Sequence, residues 1–279
     1  MDQTREDIFK GTGEEEQSYD VWLPSLGLLY EITEPFVAYG NVSRSFAPPS
    51  FGDSFNPTIQ NSSASLGASN SWTYEIGVRG KPVSWLTSDV GIFYTNFQDQ
   101  VVVSSGTVSN FNTRTFGLET NFEIEFFQLV NAIKGRGLYE GAHEVTLQLG
   151  GTLVDSKIQD GPFDGNEVPY VARTVGIFGI QYDYKDRFSF VVQGRYIGDQ
   201  FADAANTFDE NAIGTVGQLN AYTTLDVKAL WKVNDRLSLK AGVNNLFDES
   251  YGTQRRTGSQ RGIFPGVCRT AYVGATLTF

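Results

Sequence analysis

Gln254, Arg255, Arg256, Gln260 and Arg261 crowd three guanidinium groups and two amides into eight residues of an otherwise acidic chain. The 279 residues carry 32 Asp and Glu against 21 Lys and Arg, a formal net charge of −11. Arginine presents a planar fork of N–H donors that matches paired carboxylate or phosphate oxygens, and glutamine adds neutral donors and acceptors. The chemistry implied is capture of an anionic, oxygen-rich ligand. Ordinary solvated loop charge and contact with phosphate groups on a membrane surface are the competing readings. The net charge excludes a nucleic-acid footprint, which needs a basic face.

Nothing in the chain supports catalysis. His143 has no nearby Ser or Cys partner in sequence and is expected to face solvent or an interface. Cys268 lacks a charge pattern that would activate its thiol. A single His and a single Cys exclude a multi-histidine metal site and an intrachain disulfide framework. Asp160, Asp164, Asn166 and Glu167 lack the calcium-loop spacing and are expected to be plain loop polarity. Glu14, Glu15 and Glu16 are expected in a solvated loop. No resident metal or cofactor is expected.

The elements that would position the arginine-rich segment are strands. Phe116, Leu118, Thr120, Phe122, Ile124 and Phe126 alternate with Thr115, Gly117, Glu119, Asn121, Glu123 and Glu125. Ala271, Val273, Ala275, Leu277 and Phe279 alternate in the same way with Tyr272, Gly274, Thr276 and Thr278. A period of two sends successive side chains to opposite faces, so each segment has one apolar and one polar side. Glu75, Arg79, Lys228, Lys232 and Lys240 sit on those polar sides. No segment of comparable length shows a helical period. Eleven strands are expected: 21–31, 35–46, 72–81, 86–100, 113–126, 143–155, 170–184, 187–201, 220–232, 236–248 and 268–279.

Many of these exceed the usual strand and match the ~9–11 residues that a tilted strand needs to cross a bilayer. Short turns near 33–34, 82–85, 127–142, 185–186 and 234–235 alternate with long links at 47–71, 101–112, 156–169, 202–219 and 249–267. That parity belongs to an antiparallel transmembrane β-barrel, with short periplasmic turns and long extracellular loops. The fold class expected is therefore all-β, apolar side to lipid and polar side to the lumen. Phe51, Phe55 and Phe111 in the long links fit either a ligand funnel or anchoring at the interface. An odd strand number does not close a bacterial single-chain barrel, so residues 1–279 are expected to be the C-terminal part of a longer one.

Particular residues resemble a family. Val243-Asn244-Asn245-Leu246-Phe247-Asp248 followed by Tyr251 is similar to the penultimate-strand motif of TonB-dependent outer-membrane receptors, V-x-N-L-F-D-x-x-Y. Tyr272, Gly274, Leu277 and the terminal Phe279 have the spacing of the outer-membrane assembly signal. The run from Tyr39 to Phe51, Tyr74-Glu75-Ile76-Gly77 and Thr115-Phe116-Gly117-Leu118-Glu119 also resemble the family's barrel strands. Gln200 to Thr207, Arg261 to Gly266, and Arg269-Thr270 resemble the ferric dicitrate type.

The resemblance implies TonB-dependent uptake of a ferric chelate, ferric dicitrate or a related siderophore, across the bacterial outer membrane. Ferric iron would then be cargo rather than cofactor. Gln254, Arg255, Arg256, Gln260 and Arg261 would be the loop candidates for ligand contact. It also implies a plug, the first half of a plugged barrel of about 22 strands, and an N-terminal segment through which TonB acts, none of which is expected within this chain. Outer-membrane lipid and lipopolysaccharide are further expected partners. Uptake of another cargo such as cobalamin or a glycan, and a passive porin, are the alternatives.

Overall fold

The computed structural model describes residues 2–10, 13–48, 68–104, 107–135, 142–256 and 261–279. A first hairpin pairs β1 (Asp2–Lys10) with β2 (Gly13–Val21) as a two-stranded sheet of its own. Glu14, Glu15 and Glu16 thus lie in a strand instead of the loop expected for them, because each pairs across the hairpin with Phe9, Ile8 and Asp7.

The alternating segments that follow form one 11-stranded antiparallel sheet in which every strand pairs with its neighbour in sequence. Its first seven strands are β3 (Ser25–Thr33), β4 (Phe36–Ala47), β5 (Ser69–Val83), β6 (Leu86–Ser104), β7 (Thr107–Glu125), β8 (His143–Ile158) and β9 (Thr174–Tyr184). After β10 (Phe188–Ile197), a small ladder of β11 (Gln200–Phe201) and β12 (Gln218–Leu219) interrupts the meander. It resumes with β13 (Tyr222–Lys232) and β14 (Leu237–Asn244). A hairpin of β15 (Gly252–Arg256) and β16 (Gly262–Pro265) precedes the last strand, β17 (Thr270–Leu277).

The register keeps like with like. Ile124, Leu147, Ile180, Val192, Val227, Val243 and Ala271 stand directly across from one another in one row. One residue along, Glu123, Gln148, Gly179, Gln193 and Asp226 form the matching row on the other face. The apolar rows are exposed: Leu149, Leu153, Ile180, Trp231 and Val273 all lie open on the outer surface. The buried apolar residues among those described, such as Phe111, Ile158, Phe201, Ala204 and Leu219, gather instead beyond the strand ends where the long loops lie. A continuous apolar face of this extent is unstable in water, so its solvent is hydrocarbon. No described helix is long and apolar enough to cross a membrane, and the sheet needs none.

An odd number of antiparallel strands leaves β3 and β17 running the same way, so they cannot join each other by an antiparallel ladder. No pairing joins them among the described residues. Both edges stand open, and β3 is exposed along its whole length.

Two expectations are corrected. The link at 101–112 is largely a continuation of the ladder, with Gln100 across from Phe111 and Val103 across from Val108. Strands β6 and β7 are 19 residues each, roughly 60 Å at the usual rise, so they run well past a ~30 Å hydrocarbon core. The turn at 127–142 begins with a helix, α1 (Phe126–Lys134), ended by Gly135 at φ 64°. A nine-residue helix is too short to register against the strand period that precedes it. Of the 47–71 link, Phe51 and Phe55 lie outside the described residues.

The polar face has its own packing. Tyr39 lies across from Gly77, and its hydroxyl donates to Asp89 Oδ1 at 3.0 Å while the Arg79 guanidinium covers the ring at 4.6 Å. A Cβ at Gly77 would overlap the Tyr39 ring. Gly77→Ala is therefore expected to swing the ring away, break both contacts and cost about 1–3 kcal/mol. A lowered urea midpoint of the folded barrel would report it; an unchanged midpoint would remove the argument.

Candidate functional site

The long loops after β8, β10 and β14, residues 159–173, 198–221 and 245–269, meet at one end of the sheet. Each would pay heavily in conformational entropy if ordered alone, so their shared contacts decide their shape. An apolar knot of Val102, Phe111, Ile158, Val168 and Ala204 joins the first two to the top of β6 and β7, with Phe163 edge-on to Phe111 at 6.0 Å. Phe111 is thus packed inside the loops and neither lines a funnel nor anchors at the interface.

Polar bonds fix the register of this assembly. Asn166 Nδ2 donates to the Ala204 carbonyl at 2.8 Å, and Asn206 Oδ1 accepts from the Glu167 amide at 2.7 Å. Asn206 returns its own Nδ2 to the Glu167 carbonyl at 3.0 Å. Its φ of 54° is the left-handed conformation that asparagine tolerates better than most residues. The Glu167 carboxylate accepts from Arg173 and lies 3.8 Å from Lys157 Nζ. Asp203 is buried, with Oδ1 accepting from the Thr207 amide and hydroxyl.

Arg255 ties in the third loop. It is 8% exposed, and its Nη1 donates to the Gly214 carbonyl while Nη2 donates to the Gln218 carbonyl and to Glu210 Oε2, each at 3.1 Å. Its own carbonyl accepts from the Tyr170 hydroxyl at 3.1 Å, joining the loop after β8. Burial, reinforced by the Asp203 carboxylate, pushes the Tyr170 phenol above its ordinary value, against the hydrogen bond that the Arg255 backbone N–H donates to its oxygen and against the guanidinium charge. The neutral form is therefore favoured in the folded loops. Its contribution is complete below the unfolded phenol value of about 10 and is lost as pH rises through the higher folded value. Alkaline loosening of the loops, followed by protease cleavage, is expected to lose this late component in Tyr170→Phe. Identical alkaline profiles for the two proteins would count against it.

The neighbours of Arg255 face the other way. Strand β15 alternates sides, so Gln254 and Arg256 share the face opposite Arg255. Arg256 Nε donates to Gln254 Oε1 at 3.0 Å, and its guanidinium covers the Phe264 ring at 4.1 Å while remaining exposed. Arg261 is exposed at the start of the segment leading into β16. Gln260 lies outside the described residues. Of the residues resembling the dicitrate type, Phe201, Ala202, Asp203 and Ala204 are all buried within the loop assembly. Asp203, Asn206, Tyr170 and Glu210 were not singled out as partners in sequence. The likeness of Gln200 to Thr207 to the dicitrate type is the sequence signal that covers Asp203 and Asn206.

The motif 243–251 has a physical reason here. Asn245 adopts φ 51°, is buried, and spends its Nδ2 on the Glu249 and Val267 carbonyls at 2.9 and 3.1 Å. Asp248 Oδ1 accepts from the Arg269 amide at 2.7 Å, and Tyr251 stacks on Tyr222 with ring centres 4.0 Å apart. These contacts hold both ends of the arginine-bearing hairpin at the top of β13, β14 and β17. Along β17, Tyr272 lies over Gly242 on the polar face and Gly274 pairs with Lys240, while at the far end Leu277 and Phe279 are open on the apolar face.

His143 Nδ1 lies 2.8 Å from the Tyr182 hydroxyl, and its ring centre is 4.8 Å from that of Tyr184, on the outer face beside the short turns. Cys268 is an exposed free thiol. No group of three or more His, Cys, Asp or Glu suited to a metal ion occurs among the described residues.

An antiparallel meander with an outward apolar belt, short turns at one end and knitted long loops at the other defines an outer-membrane barrel wall. The family model for TonB dependent receptor-like β-barrels matches residues 2–246, and the chain belongs to that family, whose members are outer-membrane receptors and transporters of Gram-negative bacteria. A vitamin B12 transporter of Vibrio vulnificus strain YJ016 is 24% identical over 251 residues, covering 87% of this chain and 35% of the relative. A pesticin receptor of Yersinia pestis is 24% identical over 242 residues, covering 84% and 32%. The unliganded ferric citrate transporter FecA superposes with a TM-score of 0.74 at 27% identity, over 96% of this chain and 39% of that one. The ferric yersiniabactin receptor FyuA of Yersinia pestis shares the fold at 20% identity, with a TM-score of 0.68 over 95% and 38%. The chain spans about a third of the length of the sequence relatives it matches.

Proposed function

We propose that the chain is the C-terminal part of the barrel wall of a TonB-dependent transporter that imports a ferric chelate, with ferric dicitrate or a related siderophore as the favoured cargo. The observation that carries this reading is the division of labour in the 249–267 loop. Arg255 spends its donors on the loop assembly, while Arg256, Arg261 and Gln254 lie on or beside a hairpin held rigid by it. Preordered exposed guanidinium groups suit an anionic oxygen-rich complex, because little further ordering is needed on binding. The likeness to FecA along nearly the whole chain supports the same cargo class. The iron enters as substrate, TonB acts through an N-terminal segment of the longer receptor, and lipopolysaccharide surrounds the extracellular rim.

A second reading, cobalamin uptake, is favoured by the relatives named as vitamin B12 transporters. Cells producing the full receptor, offered radiolabelled ferric citrate, a ferric hydroxamate or cobalamin with and without TonB, separate the readings. TonB-dependent accumulation of ferric citrate is expected. Accumulation of cobalamin alone would replace the cargo, and uptake indifferent to TonB would replace the transporter by a passive porin.

A further inference from the structure

The helix α1 interrupts the strand meander between β7 and β8. Phe126, Leu129, Val130 and Ile133 fall at i, i+3, i+4 and i+7, so they line one side of a helix with 3.6 residues per turn. No residue of the helix is buried, and Ile133 is 75% exposed. In water this stripe would be an exposed apolar patch on a short helix, which is marginal by itself.

The orientation of the stripe follows from its two ends. Phe126 continues the apolar side of β7, in line with Phe116, Leu118, Phe122 and Ile124, which face lipid. Gln128, on the opposite side of the helix, bonds Glu125, whose carboxylate lies on the polar face and is held by Lys81 Nζ at 2.8 Å. The polar side is thereby tied toward the lumen rim and the apolar side is turned outward, continuous with the lipid-facing belt. Next to it on that outer face stand His143, Tyr182, Tyr184 and Phe188, clustered ring against ring. Aromatic rings with polar tips gather where hydrocarbon meets headgroups, which sets the level of α1 at that boundary. Lys134 and the acidic Glu144 beside the turn are exposed.

We infer that α1 lies in the membrane plane as an interfacial anchor, its Phe126–Ile133 stripe inserted among the phospholipids of the periplasmic leaflet. The helix gives this hairpin a lateral foot on the bilayer that the bare turns at 34–35, 84–85 and 185–187 lack. The partner is the lipid surface; a second protein seated on the stripe is the rival that the test must separate.

The test uses the full receptor in vesicles of phosphatidylethanolamine and phosphatidylglycerol, with Cys268→Ser and every cysteine outside this chain also replaced by serine. A nitroxide is placed by Ile133→Cys or by Ala132→Cys. Both positions are exposed, so neither label displaces a packed side chain. Oxygen, which partitions into hydrocarbon, and a water-soluble nickel chelate then compete to relax the label. The ratio of oxygen to nickel accessibility is expected to be higher at 133 than at 132, at a depth of roughly 5–10 Å below the headgroups. Equal ratios would place the stripe in water. Exclusion of both reagents at 133 would place it against protein. Either result overturns the inference, and neither depends on the cargo carried.

Discussion

Arg255→Ala is expected to release the 202–217 segment from the loop assembly while leaving the barrel wall folded. The guanidinium leaves three acceptors behind: the Gly214 and Gln218 carbonyls and Glu210 Oε2. Glu210 is half exposed and returns to water at little cost, so the ion pair itself contributes little. The carbonyl bonds matter more, since a bond from a charged donor contributes about 1.5–3 kcal/mol and an unmet buried acceptor adds its own penalty. Two such bonds come to about 3–6 kcal/mol, which exceeds what holds many surface loops closed. Amide hydrogen exchange across 202–217 should therefore accelerate by two orders of magnitude or more, and added protease should nick the loop on intact cells. Arg255→Lys should recover only part, because one ammonium cannot reach acceptors spread across a planar fork. Exchange unchanged from the parent would show that the apolar knot alone holds the loops.

Arg256→Ala combined with Arg261→Ala is the second large effect, on binding in place of order. Neither side chain bonds the loop after β10, so exchange in 202–217 should stay as in the parent. Affinity for the ferric chelate should fall by about 10–100-fold per arginine that makes a charge-assisted contact. The loss should shrink at high salt, because exposed charge is screened over about 8 Å at physiological ionic strength. Equilibrium binding of labelled ferric citrate to membranes carrying the double variant measures it. Parent-like affinity would sink the role of both residues and leave solvated loop charge as their reading. The pair of variants is informative together: one should alter loop order far more than intrinsic contact chemistry, the other the reverse.

The membrane topology also bears on assembly. β3 and β17 run the same way with open edges, so any stretch of chain that closes the barrel must itself contribute an odd number of strands. A second copy of the same sheet turned about the membrane normal would meet it with parallel edges. Tyr272, Gly274, Leu277 and Phe279 lie along or just beyond the strand at one of those edges, and the apolar Leu277 and Phe279 stand open there.

Much of the wall was legible in the residues because membrane strands encode their environment locally. A period of two, strands long enough to cross hydrocarbon, and alternating short and long links found all eleven strands of the sheet, with the largest boundary error at the start of β7, six residues before its expected position. The motif at 243–251 and the terminal alternation pointed to the family, because Asn245 and Tyr251 perform tasks that tolerate few other side chains. Where local pattern weakens, tertiary contact took over. The 101–112 link became a ladder because two long strands had each other to pair with, and nine residues at 126–134 coiled into a helix where the meander turned.

The arginine cluster shows the boundary most clearly. Its composition set the expectation of an anion-binding segment, and three arginines within seven residues were indistinguishable as a string. Only the fold separated them: pairing of β15 with β16 turned Arg255 inward and Arg256 outward, since adjacent residues of a strand must point to opposite sides. Which inward-facing carbonyls awaited Arg255 depended on residues 37 to 41 positions away. Residue type and period are properties of neighbours along the chain and survive in the sequence. The identity of a buried partner is a property of how distant loops meet, and is decided only when the loops pack.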